Sequence, residues 1–398
     1  MHKEYVYRFL LSLKAMGLVL MAAQTAFAQA TGPFNVRSYG ASGASNCTLV
    51  SPGVSVDQAG FNAALAAVPA SGGEIYVPAG SYCMTHPLWV TGKSIAFRGE
   101  GQKLSILRWD TASNGIVYNG TSKEHSLTVK SLSFVKGSGL NGVAIWGYWN
   151  VRSESSVASI TDVAISHDVP TYGTGWSYGI HLLHAGNPMI HHFDFINGID
   201  DGIAILFAGQ TIHANVTKGS IIRAADGIKM IDNSEGLHVT DVEIVAAKRG
   251  IVIDSPWDLP GTSISNNHLN TSEKGIHILS HGDVGISNNL LYSTANATNY
   301  KGIHVVNSDS LRITGNQIVR TGPTSTNLNG IVIEGTSPRN VIANNVTDGM
   351  DTGIWLAGIN VIQNLVIGNI NRNYGVASVL DWGPAPPNVN QNNLASNY

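Results

Sequence analysis

Charge is scarce in this chain of 398 residues: Lys, Arg, Asp and Glu together make up 12%, with a formal net charge of -3. A nucleic-acid-binding domain needs a basic excess, so that class is excluded. Cysteine is nearly absent, Cys47 and Cys83 being the two. Without a Cys-His cluster a structural zinc site has no ligands. In an oxidising compartment the pair can form a disulfide, and spacing alone leaves that open. Proline numbers only 14, and helix formers nowhere accumulate. Beyond the N-terminus no apolar run reaches the roughly 18 residues of a membrane span. What is present is 43% hydrophobic residue and 44 glycines. That is too apolar for a disordered chain and points to one long, turn-rich β architecture rather than the two or three domains that length alone allows.

The first thirty residues read as an export signal. Lys3, Arg8 and Lys14 precede or open an apolar run from Ala15 to Ala28, and Ala26, Ala28 and Ala30 offer small residues for cleavage. Residues 1–30 are therefore expected to be a secretory signal peptide, with the mature chain starting near Gln29 or Thr31 in a secreted or periplasmic location. No membrane span is expected after cleavage.

An internal repeat organises the rest. Gly-Ile recurs at Gly179, Gly202, Gly227, Gly250, Gly275, Gly302, Gly330 and Gly353, at intervals of 23 to 28 residues. Gly142-Val143 and Gly375-Val376 read as end copies. A second strand follows each about a dozen residues on, and an asparagine recurs there: Asn267, Asn289, Asn316, Asn345 and Asn369. This period fits a leucine-rich repeat or a parallel β-helix. Both strands are rich in Ile and Val, and Ser, Asn, Thr and Gly fill the gaps, which favours turns over helices. The fold class is thus all-β, a single-stranded right-handed parallel β-helix, in which the asparagines sit at turns and stack coil upon coil.

Before the repeats stands Phe34-Asn-Val-Arg-Ser-Tyr-Gly-Ala-Ser-Gly, then an amphipathic stretch from Asp57 to Val68 with Phe61, Leu65 and Val68 on one face, then Gly72-Gly-Glu-Ile-Tyr-Val-Pro-Ala-Gly. A capping helix there would protect the open end of a solenoid. These residues resemble the N-terminal signature of the pectate-lyase-like β-helix superfamily, which includes polygalacturonases and phage tailspikes. The Asp-rich turn usual after Tyr-Gly-Ala-x-Gly is replaced here by residues 44–56, with Cys47 inside. The resemblance implies one β-helix domain over 31–387, with an N-terminal cap (31–90). The interval 146–178 reads as an aromatic insertion, Trp382-Gly-Pro as the end of the repeat, and 388–398 as a loose polar tail.

In Gly-Ile-x-apolar the Ile points inward and x outward. Stacked coils then give an outer column of Ala144, His181, Ala204, Lys229, Val252, His277, His304, Val332 and Trp355. Beside it runs a rim column of Asn141, Tyr178, Asp201, Asp226, Arg249, Lys274, Lys301, Asn329 and Thr352. Gathering charge on one strip of a weakly charged solenoid suggests a groove for an extended polar ligand.

The segment Ile199-Asp-Asp-Gly-Ile-Ala-Ile resembles the paired-aspartate strand of polygalacturonases. That resemblance implies that Asp200 and Asp201 are catalytic carboxylates. Asp226, one coil on, is about 4.8 Å away by strand spacing, near the roughly 5 Å separation of a retaining glycosidase. The polygalacturonase Asn-Thr-Asp-Gly motif is replaced by Ser177-Tyr178-Gly179, its Gly-His-Gly turn is absent, and its Arg-Ile-Lys survives only as the echo Gly227-Ile228-Lys229. A lyase uses the same face differently: Lys229, Arg249 or Lys274 meets the carboxylate of a uronate, His181 or His277 serves as base, and Asp-bound calcium is compatible with that chemistry. Trp146 and Trp176 are expected to stack on sugar rings.

The expected function is a secreted enzyme cleaving glycosidic bonds of an acidic polysaccharide, leaning to polygalacturonase-like hydrolysis. Elimination from uronates, epimerisation and a non-catalytic exopolysaccharide-binding β-helix are the alternatives. No cofactor is required, with Ca2+ reserved for a lyase. The partners are a polysaccharide and, left open, further copies of the chain.

Overall fold

The computed structural model describes residues 32–45, 47–137, 142–151, 153–167, 175–197, 202–256, 261–322, 325–382 and 388–396. The expected signal peptide, Asn141, Asp200 and Asp201 lie outside them. The chain winds into a right-handed parallel β-helix of about 12 turns. Each coil contributes a strand to three parallel sheets. One run, for example, is Asn215–Ile222, which bends to serve two sheets, followed by Asp226–Ile231 on the third. We call this third sheet the Gly-Ile face. Among the described residues no helix is long and apolar enough to cross a membrane.

The repeat glycines have a steric cause. A Cβ on Gly227, Gly250, Gly275 or Gly302 would stand 2.5–2.7 Å from the carbonyl oxygen of the next coil's glycine. Only hydrogen fits that approach. The apolar residues that follow, Ile228, Ile251, Ile276, Ile303 and Ile331, are fully buried inside the coil.

A sharp bend joins the other two sheets, made by single residues at positive φ such as Lys218, Asp241, Asn266, Asn288 and Asn344. Such φ values suit Asn and Asp better than most side chains. Immediately after this bend stand the recurring asparagines, stacked as expected. In each step the next coil's Oδ1 accepts from both the backbone N–H and Nδ2 of the coil before. The ladder runs Asn267, Asn289, Asn316, Asn345, Asn369 and Asn393, with distances of 2.9–3.0 Å.

At the N-terminal end the helix Val56–Ala67 covers the first coil. Ser55 caps it, its Oγ accepting from Gln58 N–H, and Phe61, Leu65 and Val68 are buried beneath it. The buried Asp57 carboxylate accepts from the backbone N–H of Ser42, Gly43 and Cys83, binding the helix to both neighbouring segments. Cys47 and Cys83 form a disulfide.

Two sequence expectations change. The interval 146–178 holds regular strands, Val143–Trp149 and Ala158–His167, both in the ladder, so its described part is coil rather than insertion. Residues 389–391 and 394–396 also pair with the preceding coil. Asn388 and Asn393 extend the amide ladders into this segment, which keeps it attached.

Candidate functional site

The outer side of the Gly-Ile face collects most of the charged groups singled out in the sequence. The ladder passes from the pair Asp226↔Arg249 to Ile228↔Ile251 without a pair at Gly227. This skip breaks strict alternation, so the residue before the glycine and the residue after the isoleucine share the outer side. Asp226 accordingly lies 3.6 Å from Lys229.

The observed register differs from the count of repeats in the earlier coils. Trp146 pairs with His181, His181 with Leu206, and Leu206 with Lys229. Ala144 and Ala204 therefore leave the outer column, and Trp146 and Leu206 enter it. Ile203, not Asp201, is the register neighbour of Asp226. The two-carboxylate spacing expected from Asp201 and Asp226 rested on the uniform count, and Asp201 itself lies outside the described residues.

Asp226 is committed to its neighbours. Arg249 donates to it through Nε and Nη2, at 2.5 and 2.9 Å, and its side chain is 2% exposed. Both carboxylate oxygens are occupied and covered, so Asp226 holds Arg249 and Lys229 in place instead of presenting an acid to a substrate. Trp176, expected on a sugar-facing loop, is 1% exposed. Its Nε1 donates to the Ser166 carbonyl, it packs against Trp109, and the Lys136 ammonium sits 4.5 Å over its ring. It is a core residue.

Three groupings follow one another along the face. At the N-terminal side, His181 lies between Trp146 and Tyr178, with ring centroids 6.2 and 5.3 Å away. Burial holds the His181 imidazole down to about 4. Neither its Nε2 nor Trp146 Nε1 has a hydrogen-bond partner among the described residues, although both atoms are buried.

Next comes a row of cations. Arg249, Lys274 and Lys301 are direct register neighbours on three successive coils. Like charges facing each other across strands destabilise a sheet. The outer two have carboxylates, Asp226 for Arg249 and Glu334 for Lys301 at 2.6 Å. Lys274 has no salt bridge among the described residues. Burial, then Lys301 and Arg249, lower its pKa. His277 lies within 3.4 Å of the Lys274 ammonium. Burial first and Lys274 second push His277 down to about 2. Its ring stacks on His304, 4.7 Å between centroids and 3° between planes.

His304 differs from the other two histidines because it has an acidic partner. Its Nε2 lies 3.0 Å from Glu334 Oε2. Burial lowers the His304 pKa while Glu334 acts against that shift. The hydrogen bond from His304, with Lys301 assisting, holds Glu334 down to about 2. Sequence reasoning missed Glu334. It closes a Gly-Ile strand and reaches back one coil, and the signal available was an acid at the end of a strand whose neighbours carry Lys and His.

At the C-terminal side Trp355 and Trp382 meet edge to face at 5.1 Å, and Trp355 Nε1 is again buried without a partner among the described residues. From Trp146 to Trp355 the outer column spans eight coil steps, close to 40 Å at roughly 4.8 Å each. Cations at the centre and aromatic rings at both ends suit an extended anionic ligand with apolar faces.

The sequence model of the rhamnogalacturonase A/epimerase, pectate lyase-like family matches residues 33–277, more than half of the chain. That of the periplasmic copper-binding protein (NosD) family matches residues 210–396. No curated protein sequence matches. Among solved structures, the A-module of a mannuronan C-5 epimerase from Azotobacter vinelandii is similar, with a TM-score of 0.59 at 15% identity, covering 91% of this chain and 98% of that one. A DFA-IIIase from Arthrobacter chlorophenolicus A6 aligns with a TM-score of 0.50 at 14% identity, over 81% and 84% of the two chains. At these identities the likeness concerns the fold.

Proposed function

The chain belongs to the rhamnogalacturonase A/epimerase, pectate lyase-like family, and from that premise we propose an exported enzyme that acts on an acidic polysaccharide laid along the Gly-Ile face, reacting at the carbon next to a uronate carboxylate. The carrying observation is the cation row with an unpaired centre: Lys274 stands between Arg249 and Lys301 with no salt bridge among the described residues. A row of like charges is costly without an anion, and a carboxylate from the ligand would supply one.

The same charges suit the chemistry. Removing the proton next to a carboxylate drives negative charge onto that group, and fixed cations stabilise it most as it develops. Two outcomes follow from the common intermediate: expulsion of O4, which makes a lyase, or return of the proton on the other face, which makes an epimerase. The mannuronan C-5 epimerase with the similar fold is named for a reaction of the second kind. Hydrolysis is the second reading. It rests on Asp200 and Asp201, whose sequence resembles a polygalacturonase strand, and it has lost Asp226 to Arg249. A location outside the cytoplasm is supported by the signal-like N-terminus and by the disulfide, which persists in oxidising compartments.

The test is incubation with polygalacturonate and polymannuronate, with and without calcium, following ultraviolet absorbance of an unsaturated product, solvent deuterium uptake at C5, and reducing ends. Absorbance or deuterium uptake supports the proposal. Reducing ends alone transfer it to hydrolysis. Binding without any of the three leaves a non-catalytic polysaccharide-binding β-helix.

A further inference from the structure

Resting on that reading of the face, we propose that His304 is the proton acceptor of the reaction and Glu334 its positioning residue, so that the reacting sugar lies over the coils of Lys274 and Lys301. A carboxylate can only accept hydrogen bonds. The Lys301 ammonium, 3.1 Å from His304 Nε2, donates instead to Glu334 Oε1 at 2.6 Å, so with Glu334 Oε2 3.0 Å from His304 Nε2 the hydrogen of the neutral imidazole sits on Nε2. The lone pair is then on Nδ1. That atom is buried and has no hydrogen-bond partner among the described residues, in a residue 5% exposed. The ring is held from one side by Glu334 and from the other by the flat stack with His277. A base oriented by a carboxylate through its far nitrogen is the arrangement that general-base catalysis requires.

The other two histidines of the face lack it. His277 has Lys274 beside both ring nitrogens and no acid to set its tautomer. His181 is flanked by rings, with Leu206 rather than a cation on the next coil. Around His304 the charged and titratable neighbours are Lys301 on its own strand, His277 and Lys274 on the preceding one, and Glu334 on the following one. The cations among them suppress its basicity in the empty groove. A bound uronate carboxylate at Lys274 offsets their charge and raises the proton affinity of His304 when substrate is present.

The step balances without a further reactant. Nδ1 takes the C5 proton, and the C5–H electron pair moves into the carboxylate as an enediolate held by Lys274 and Lys301. Collapse of that pair forms the C4=C5 bond and breaks C4–O4, and the imidazolium returns its proton to O4 of the departing chain. In the epimerase branch the pair instead takes a proton from water on the opposite face of C5, and the imidazolium gives its proton to the hydroxide left behind.

The test uses the full chain with polygalacturonate and polymannuronate, comparing wild type, His304→Gln and Glu334→Gln. General-base removal costs about 10²–10⁴ in rate. For His304→Gln we expect at least a hundredfold loss of elimination or C5 exchange, with polymer binding by affinity electrophoresis within about threefold. Glu334→Gln lowers turnover less and moves the acidic limb of kcat/KM to lower pH, because the imidazolium has lost its counter-charge; an unmoved limb means a merely structural role and overturns the positioning assignment. His304→Gln retaining more than a tenth of wild-type turnover overturns the acceptor. Wild-type binding without elimination or exchange overturns the acceptor but leaves the acidic-polymer reading standing. Absence of both binding and turnover on both polymers removes that reading and this one together. Independently of substrate, the imidazole ¹⁵N signals lost in His304→Gln report the tautomer of the free protein. A neutral ring with its hydrogen on Nε2 is expected, and a hydrogen on Nδ1 overturns the assignment.

Discussion

Two rows of buried polar groups run along the solenoid, one at the bend between two sheets and one on the outer Gly-Ile face, and they are treated in opposite ways. In the first, each asparagine from Asn267 to Asn369 donates through its backbone and its amide to the next coil's Oδ1. In the second, Trp146 Nε1, His181 Nε2, His304 Nδ1 and Trp355 Nε1 are buried with no partner among the described residues. A buried group left unmade costs about 1–3 kcal/mol. The amide row removes that cost at each coil from Asn267 to Asn393 and ties those coils together. The outer row keeps it at four positions on one strip, which a ligand bearing hydroxyls and carboxylates is suited to relieve. The difference separates groups that stabilise the chain from groups that await a partner.

The largest effect should come from breaking the amide row. Asn316→Ala leaves the Asn289 N–H and Nδ2 without their acceptor and the Ile286 carbonyl without one donor. A loss of about 2–4 kcal/mol in unfolding free energy is expected from so many stranded groups. Urea unfolding checks it. Polymer binding below the transition should remain at the wild-type level, because Asn316 does not reach the outer face. A loss of under 0.5 kcal/mol would mean that water replaces the amide and that the row is not what couples the coils.

How much of this was legible in the sequence follows the same division. The Gly-Ile period was readable because a physical collision, Cβ against the next coil's carbonyl, demands glycine at every turn. The asparagines were readable because one position per coil needs the same amide. The outer face was readable only where the coils are uniform, from Asp226 to Trp355. Upstream, the coil of Gly202 enters two residues out of step, pairing Ile203 with Asp226, and no count of intervals detects that offset. Trp176 was misread because burial depends on Lys136 and Trp109, both distant in sequence. Glu334 was missed because its partnership with His304 spans a coil and two residues of offset along the strand, a contact that periodicity does not encode.

On the outer row the next effect concerns Lys274. Replacing it by Gln removes the cation that has no salt bridge among the described residues. Affinity for polygalacturonate or polymannuronate should fall about ten- to hundredfold, the 1.5–3 kcal/mol of a hydrogen bond to a charged group. Stability should hold or rise slightly, because Arg249 and Lys301 lose a like-charged neighbour. Calorimetric titration and thermal unfolding of the same variant read both. An unchanged affinity with lowered stability would move Lys274 to the structural side of the comparison.

The smallest effect tests whether the unpaired groups carry a cost in the free protein. His181 titrates at about 4 in the fold because burial disfavours its charged form, against about 6.5 in the unfolded chain. The unfolded state therefore binds the proton first. Stability is full above pH 6.5 and falls as the pH drops from 6.5 towards 4, by an amount on the order of 1 kcal/mol once partial solvent access is allowed for. His181→Phe keeps an aromatic ring between Trp146 and Tyr178 and removes both the titration and the unpaired Nε2. Unfolding free energy at pH 7.5 should be equal or higher, and its decline between pH 6.5 and 4 should be shallower than in wild type, as linkage requires. An identical slope would show that His181 meets water or a protein partner after all, and would place the N-terminal end of the outer row with the satisfied asparagines rather than against them.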